Sequence, residues 1–178
     1  SSGMLQLIDA GSIFNKKKLA VAYLTMFGNI SNDQSMRIKV LNDRTVEKFK
    51  QICMNDDKST DLIVVKTVYA LSCSKENIPR LANTGALGLM ELVWGQEYKK
   101  DEEFAYYILA ILFNMTTCEE AQGTLVSKGI VELIRDMWEE FKSVENLCLM
   151  ACQAIVHLCC GQINTSKAVT EGAGTILV

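Results

Sequence analysis

The stretch Phe104–Ile134, FAYYILAILFNMTTCEEAQGTLVSKGIVELI, reads as an apolar helix closing on Asn114-Met115-Thr116, then a polar break, a short helix, Gly129 and the start of a new amphipathic helix. The same order returns elsewhere. Residues 154–178 write AIVHLCCGQINTSKAVTEGAGTILV, with Gly172 in the place of the glycine. Residues 67–93 write TVYALSCSKENIPRLANTGALGLMELV, with Gly85 there, and residues 23–49 write YLTMFGNISNDQSMRIKVLNDRTVEKF. The small residues that close the long helices, Ser31, Ser72, Thr116 and Cys159, recur in steps of 41, 44 and 43; Gly85, Gly129 and Gly172 recur in steps of 44 and 43. Two separate markers keep one period, which is the signature of stacked helical repeats.

Composition agrees. At 178 residues and 49% hydrophobic, the chain has enough apolar material for a buried core. A single Pro leaves the helical hydrogen-bond ladder almost uninterrupted, so an all-α fold is expected. A net charge of −3 gives no general attraction to a phosphate backbone, and nucleic acid is not expected as a partner. The longest apolar run, Phe104–Phe113, falls well short of the roughly 18 residues that a membrane span needs. The seven cysteines are odd in number, and Cys148, Cys152 and Cys159 fall at apolar helical positions, which points to reduced cytosolic thiols. Cys148, Cys152 and His157 share a helical region, but with one His and no paired CxxC they do not make a metal site, nor a Cys–His nucleophile.

In chain order, Ser1–Met4 reads as an added remnant, and residues 5–178 as the array. Leu5–Phe14 resembles the end of a short helix, Gly11 and the start of the next, with an incomplete first unit and a discontinuity near Asn15 to Lys18. Long helices are expected at Lys17–Ser31, Asp61–Ser72, Phe104–Thr116 and from Ser143 to about Cys159. Short helices are expected at Gln34–Leu41, around Pro79 and at Glu119–Ser127. Middle helices are expected after a cap at Asp43 or Thr45, at Ala86–Gly95 and at Ile130–Phe141. Residues 55–60 and the stretch Gln96–Glu102 read as polar and charged loops, and the last unit breaks off at Val178 inside a middle helix.

With the triplets Asn29-Ile30-Ser31, Ala70-Leu71-Ser72, Asn114-Met115-Thr116 and His157-Leu158-Cys159 in view, the chain resembles the armadillo repeat family. In that family a long helix ends in an Asn-Leu-Ser-like triplet and a Gly separates a short from a middle helix. The resemblance implies a right-handed superhelical solenoid of about four armadillo-like repeats, each of a short, a middle and a long helix, ending near Ser31, Ser72, Thr116 and Cys159. The related HEAT repeat, with two helices and no triplet, is the alternative.

Counting from the first triplet residue as zero, positions −6, −5, −2 and +1 share one side of a helix with 3.6 residues per turn. They read Tyr23, Leu24, Phe27, Ile30; Val64, Val65, Val68, Leu71; Ile108, Leu109, Leu112, Met115; and Ala151, Cys152, Ile155, Leu158. This side is the expected core. The opposite stripe, at 0, −4 and −7, reads Asn29, Thr25, Ala22; Ala70, Lys66, Ile63; Asn114, Ala110, Tyr107; and His157, Gln153, Met150, and is expected to line a solvent-facing groove.

The resemblance implies that the triplet asparagines pair with the backbone of a bound segment, since an amide both donates and accepts. Asn29 and Asn114 match that role, His157 can replace it, and Ala70 cannot. The Trp that import receptors of the family carry four residues before the Asn is absent: Thr25, Lys66, Ala110 and Gln153 stand there. The expected function is therefore a cytoplasmic, non-catalytic scaffold or adaptor that binds a protein or peptide through Asn29, Thr25, Lys66, Ile63, Tyr107, Asn114, Met150, Gln153 and His157. An alternative is a membrane- or organelle-associated tether recruiting a motor or signalling partner, its Lys16–Lys18 beside an unseen lipid anchor; another is a HEAT-like regulatory subunit. No phosphate-binding loop, paired-carboxylate arrangement or nucleophile–base pair stands out, so no catalytic residue, metal or cofactor is expected. Asn29-Ile30-Ser31, Asn114-Met115-Thr116 and Asn164-Thr165-Ser166 spell glycosylation acceptors, which reduced cysteines make coincidental.

Overall fold

The computed structural model describes residues 17–55, 57–95, 97–160, 166, 168–170 and 172–177, and among them every regular element is helical. In chain order these are α1 (Lys17–Asn32), α2 (Gln34–Val40), α3 (Asp43–Cys53), α4 (Lys58–Ser72), α5 (Ile78–Thr84), α6 (Ala86–Trp94), α7 (Glu102–Thr116), α8 (Glu119–Ser127), α9 (Ile130–Phe141), α10 (Glu145–Cys159) and α11 (Gly174–Leu177), with a 3-10 turn at Lys75–Asn77 before α5. The expectations for Ser1–Met4, Leu5–Phe14 and the Asn15–Lys16 junction lie outside the described residues.

Short polar side chains set the starts of α2, α3, α4 and α7. The Asp57 carboxylate accepts from the Thr60 backbone at 3.0 Å, so α4 starts three residues before Asp61 and takes Lys58–Thr60 out of the expected loop. Asp101 plays the same part for α7, accepting from the Glu103 and Phe104 backbone N–H groups at 2.9 and 3.2 Å. α3 is capped by Asn42 rather than by Asp43 or Thr45; Thr45 completes a capping box by accepting from the Asn42 N–H at 3.2 Å. α10 begins at Glu145, not Ser143, behind Val144, which offers no side-chain cap. Gly85 and Gly129, at φ +87° and +91°, turn the short helices α5 and α8 into the middle helices α6 and α9 through a conformation that a side chain disfavours.

The long helices pack in succession, α1 on α4, α4 on α7 and α7 on α10. The middle helices α3, α6 and α9 cover one side of that layer, α3 against α4, α6 against α7 and α9 against α10. Fourteen of the sixteen side chains read as core are buried, with Leu24, Leu109 and Leu158 at zero exposure. Burying such a side chain stabilises by about 1.5–3 kcal/mol, so the seam between the two layers dominates the energetics. The exceptions are Ile30 and Cys152, on the first and last long helices, which are only half-buried.

The stretch expected as a charged loop between α6 and α7 carries a core residue. Tyr98 is buried, its hydroxyl donates to the fully buried Asp61 carboxylate at 3.0 Å, and its ring stacks on Phe104 at 4.4 Å. The connector thereby pins the amino end of α7 to that of α4.

Candidate functional site

The side of the long-helix layer that the middle helices leave uncovered carries the residues expected to bind a partner. Asn29, Thr25 and Gln153 are exposed there, whereas Ile63, Lys66, Tyr107, Asn114, Met150 and His157 are half-buried. Ala110, expected in the solvent-facing stripe, is buried: its single methyl group lies one turn from Tyr107 and one from Asn114.

The half-burial has a geometric cause. Position zero of α7 and of α10 points at the long helix before it. The Asn114 amide nitrogen donates to the Ser72 hydroxyl at 2.9 Å and lies 3.8 Å from the Cys73 sulfur. His157 Nδ1 meets the Thr116 hydroxyl at 3.3 Å, and its ring packs on Phe113 at 5.1 Å. Lys66 Nζ pairs with Glu103 at 2.7 Å and lies 5.2 Å from the Tyr107 ring centre. Tyr107 in turn contacts Tyr69 edge-on at 5.5 Å and Tyr106 at 5.3 Å. The bond to Glu103 raises the Lys66 pKa, and burial, with Cys73 and the neighbouring phenols, raises that of Tyr69. The structure thus brings Lys66 and Tyr107 into one cluster across α4 and α7. It shows no contact that joins Asn29 and Thr25 to it.

Two further rows belong to the same uncovered side. Positions −8 and −1 hold Leu62 and Tyr69 on α4, Tyr106 and Phe113 on α7, and Leu149 and Val156 on α10. Tyr106, Leu149 and Val156 are 45%, 55% and 45% exposed, and the other three are half-buried. All six are apolar or aromatic. Isolated apolar residues on a surface need no explanation, but a contiguous set on three adjacent helices does. Sequence reasoning passed over these rows because they flank both the core side and the polar stripe. The available signal was the pair of apolar residues seven apart in three successive long helices.

On the opposite, middle-helix side a hollow of about 320 Å³ is lined by Glu91, Trp94, Lys99, Glu132 and Asp136, and the chain's own Lys99 lies 5.9 Å from the Trp94 ring centre. Among the described residues no group of three His, Cys, Asp or Glu side chains could hold a metal ion, and no helix is long and apolar enough to cross a membrane. Comparison of the chain with protein-family models, with curated proteins and with solved structures finds no significant match to any of them.

Proposed function

We propose that the chain is an armadillo-like array of helical repeats acting as a non-catalytic scaffold or adaptor that holds another protein against the uncovered face of its long helices. The observation that carries this reading is the set of partly exposed apolar side chains at equivalent places on α4, α7 and α10, Leu62 and Tyr69, Tyr106 and Phe113, Leu149 and Val156. Leu62, Tyr69 and Phe113 also pack partly against the core, but the apolar area that Tyr106, Leu149 and Val156 leave in water on adjacent helices costs solubility, and its recurrence favours contact with a partner. The period in the sequence, the positive-φ glycines and the succession of long-helix contacts support the armadillo-like reading.

A photoreactive amino acid placed at Tyr106 or Val156, and as a control at Glu139 on α9, tests the proposal in cells. Cross-linking to a discrete protein from the first two positions and not from the third is expected. Equal or stronger capture from Glu139 would move the contact to another face.

A further inference from the structure

We infer that the α7–α10 part of this face receives an amphipathic helix of a protein partner, its apolar stripe bordered by basic residues. The inference rests on the proposed scaffold reading and adds the form and chemistry of the bound segment.

The first argument concerns backbone hydrogen bonds. An extended segment lying on the face must find partners for its own N–H and C=O groups, and at the triplet positions of α4, α7 and α10 the donors are engaged or absent, while the exposed Gln153 amide serves one peptide group at most. The Asn114 amide nitrogen is engaged with Ser72 and Cys73, His157 Nδ1 with Thr116, and Ala70 has nothing to offer. A helix satisfies its own backbone and asks the face only for apolar contact.

Spacing gives the second. Tyr106 and Phe113, like Leu149 and Val156, are seven residues apart, roughly 10.5 Å along a helix. Long helices packed side by side stand roughly 8–10 Å apart. The four side chains therefore mark the corners of a near-square whose width suits the ridges of one further helix, whereas alternate residues of a strand recur at roughly 6.6–6.8 Å.

Charge gives the third. Within the face Lys66 is neutralised by Glu103 at 2.7 Å. At the amino ends of α7 and α10 the exposed Glu102 and Glu145 are balanced by Lys99, Lys100 and Lys142, whereas at the carboxyl end of α7 the rim holds Glu76, Glu119 and Glu120 against one cation, Lys75. An apolar floor beside an acidic rim complements a helix with an apolar stripe and a basic border.

Three synthetic peptides of 20 residues test this by fluorescence anisotropy on the full chain. One carries Leu at helical spacing with Lys bordering the stripe, one has the same composition with Leu at alternate positions, and one has the helical spacing with Glu for Lys. The first should bind at least ten-fold more tightly than either other and gain helical circular dichroism on binding. Its affinity should fall ten-fold or more in the Leu149→Asp/Val156→Asp variant, whose exposed positions leave the chain's own helical spectrum intact. Equal or tighter binding of the alternating peptide, no preference for Lys over Glu, or affinity unchanged in the variant would overturn the inference. So would a self-associating chain that the same substitutions make monomeric, since the face would then belong to a second copy. A partner cross-linked from Tyr106 through an extended segment would sink the inference and leave the scaffold reading standing; no cross-link from this face would sink both.

Discussion

Asn114 and Ala70 stand at the same place on successive long helices, and the hydroxyls they face fare differently. Behind Asn114, the Ser72 hydroxyl accepts from the amide and donates to its own helix at Tyr69 O, 2.7 Å away. Thr116, facing His157, also donates to its own helix, at Phe113 O. At the α1–α4 joint the equivalent hydroxyl, on Ser31, is buried and has no hydrogen-bond partner, because the methyl of Ala70 cannot supply one. An unsatisfied buried hydroxyl costs about 1–3 kcal/mol. α1 nevertheless packs on α4, with Tyr23, Leu24 and Phe27 all buried and Phe27 edge-on to Phe49 of α3 at 5.3 Å. Apolar burial therefore holds successive long helices together, and the polar tie adjusts a joint that already exists.

Four measurements, each read as urea stability, break or sharpen that contrast. Leu109→Ala should cost about 2–5 kcal/mol, the usual range for emptying a fully buried leucine site. Asn114→Ala should cost about 0.5–1.5 kcal/mol, the net value of a neutral hydrogen bond; a loss as large as that of Leu109→Ala would reverse the ranking of the two forces. Ala70→Asn should stabilise by up to about 1 kcal/mol by giving Ser31 the donor that Ser72 enjoys. That gain should vanish when Ser31 is already alanine, and if it persists the amide is acting elsewhere. Ser31→Ala alone should change stability by under about 0.5 kcal/mol or raise it slightly, since it removes a group that bonds to nothing.

The α4–α7 joint carries a further, pH-dependent tie. Lys58 bonds to Asp101 at 2.7 Å and, with the backbone N–H groups of Glu103 and Phe104, holds the Asp101 carboxyl below its usual pKa. A depressed carboxyl pKa contributes stability above the unfolded value and loses it as the pH falls through the folded one. Asp101→Asn should thus lower the melting temperature modestly at pH 7, and the two proteins should converge in acid. A gap that persists well below the carboxylate range would assign the effect to packing.

How far the letters reached depends on the range of the interaction. α8 and α9 begin and end where they were read, because the Gly129 turn and the apolar spacing act within a few residues. The start of α4 was missed because Asp57 competes as a cap with Asp61, and only the folded chain takes Asp61 into the core. Likewise nothing local announces that Tyr98, set among charged neighbours, crosses 37 positions to reach Asp61. Of the candidate face, the polar stripe was legible, but the apolar rows from Leu62 to Val156 that carry the proposal were not, and neither was the direction of any side chain. A helical wheel fixes which side chains share a side; which neighbouring helix then turns Asn114 inward and leaves Tyr106 outward depends on a contact some 40 residues away.

The tyrosine between α6 and α7 has a practical corollary. Anyone engineering the molecule would choose that stretch of lysines and glutamates for a tag, a cleavage site or a circular permutation, since it reads as expendable surface. Lengthening it would withdraw the phenol from the buried Asp61 carboxyl beneath and take a hydrogen bond out of the core. Insertions belong instead at the Met54–Asn55 corner, where both residues are exposed.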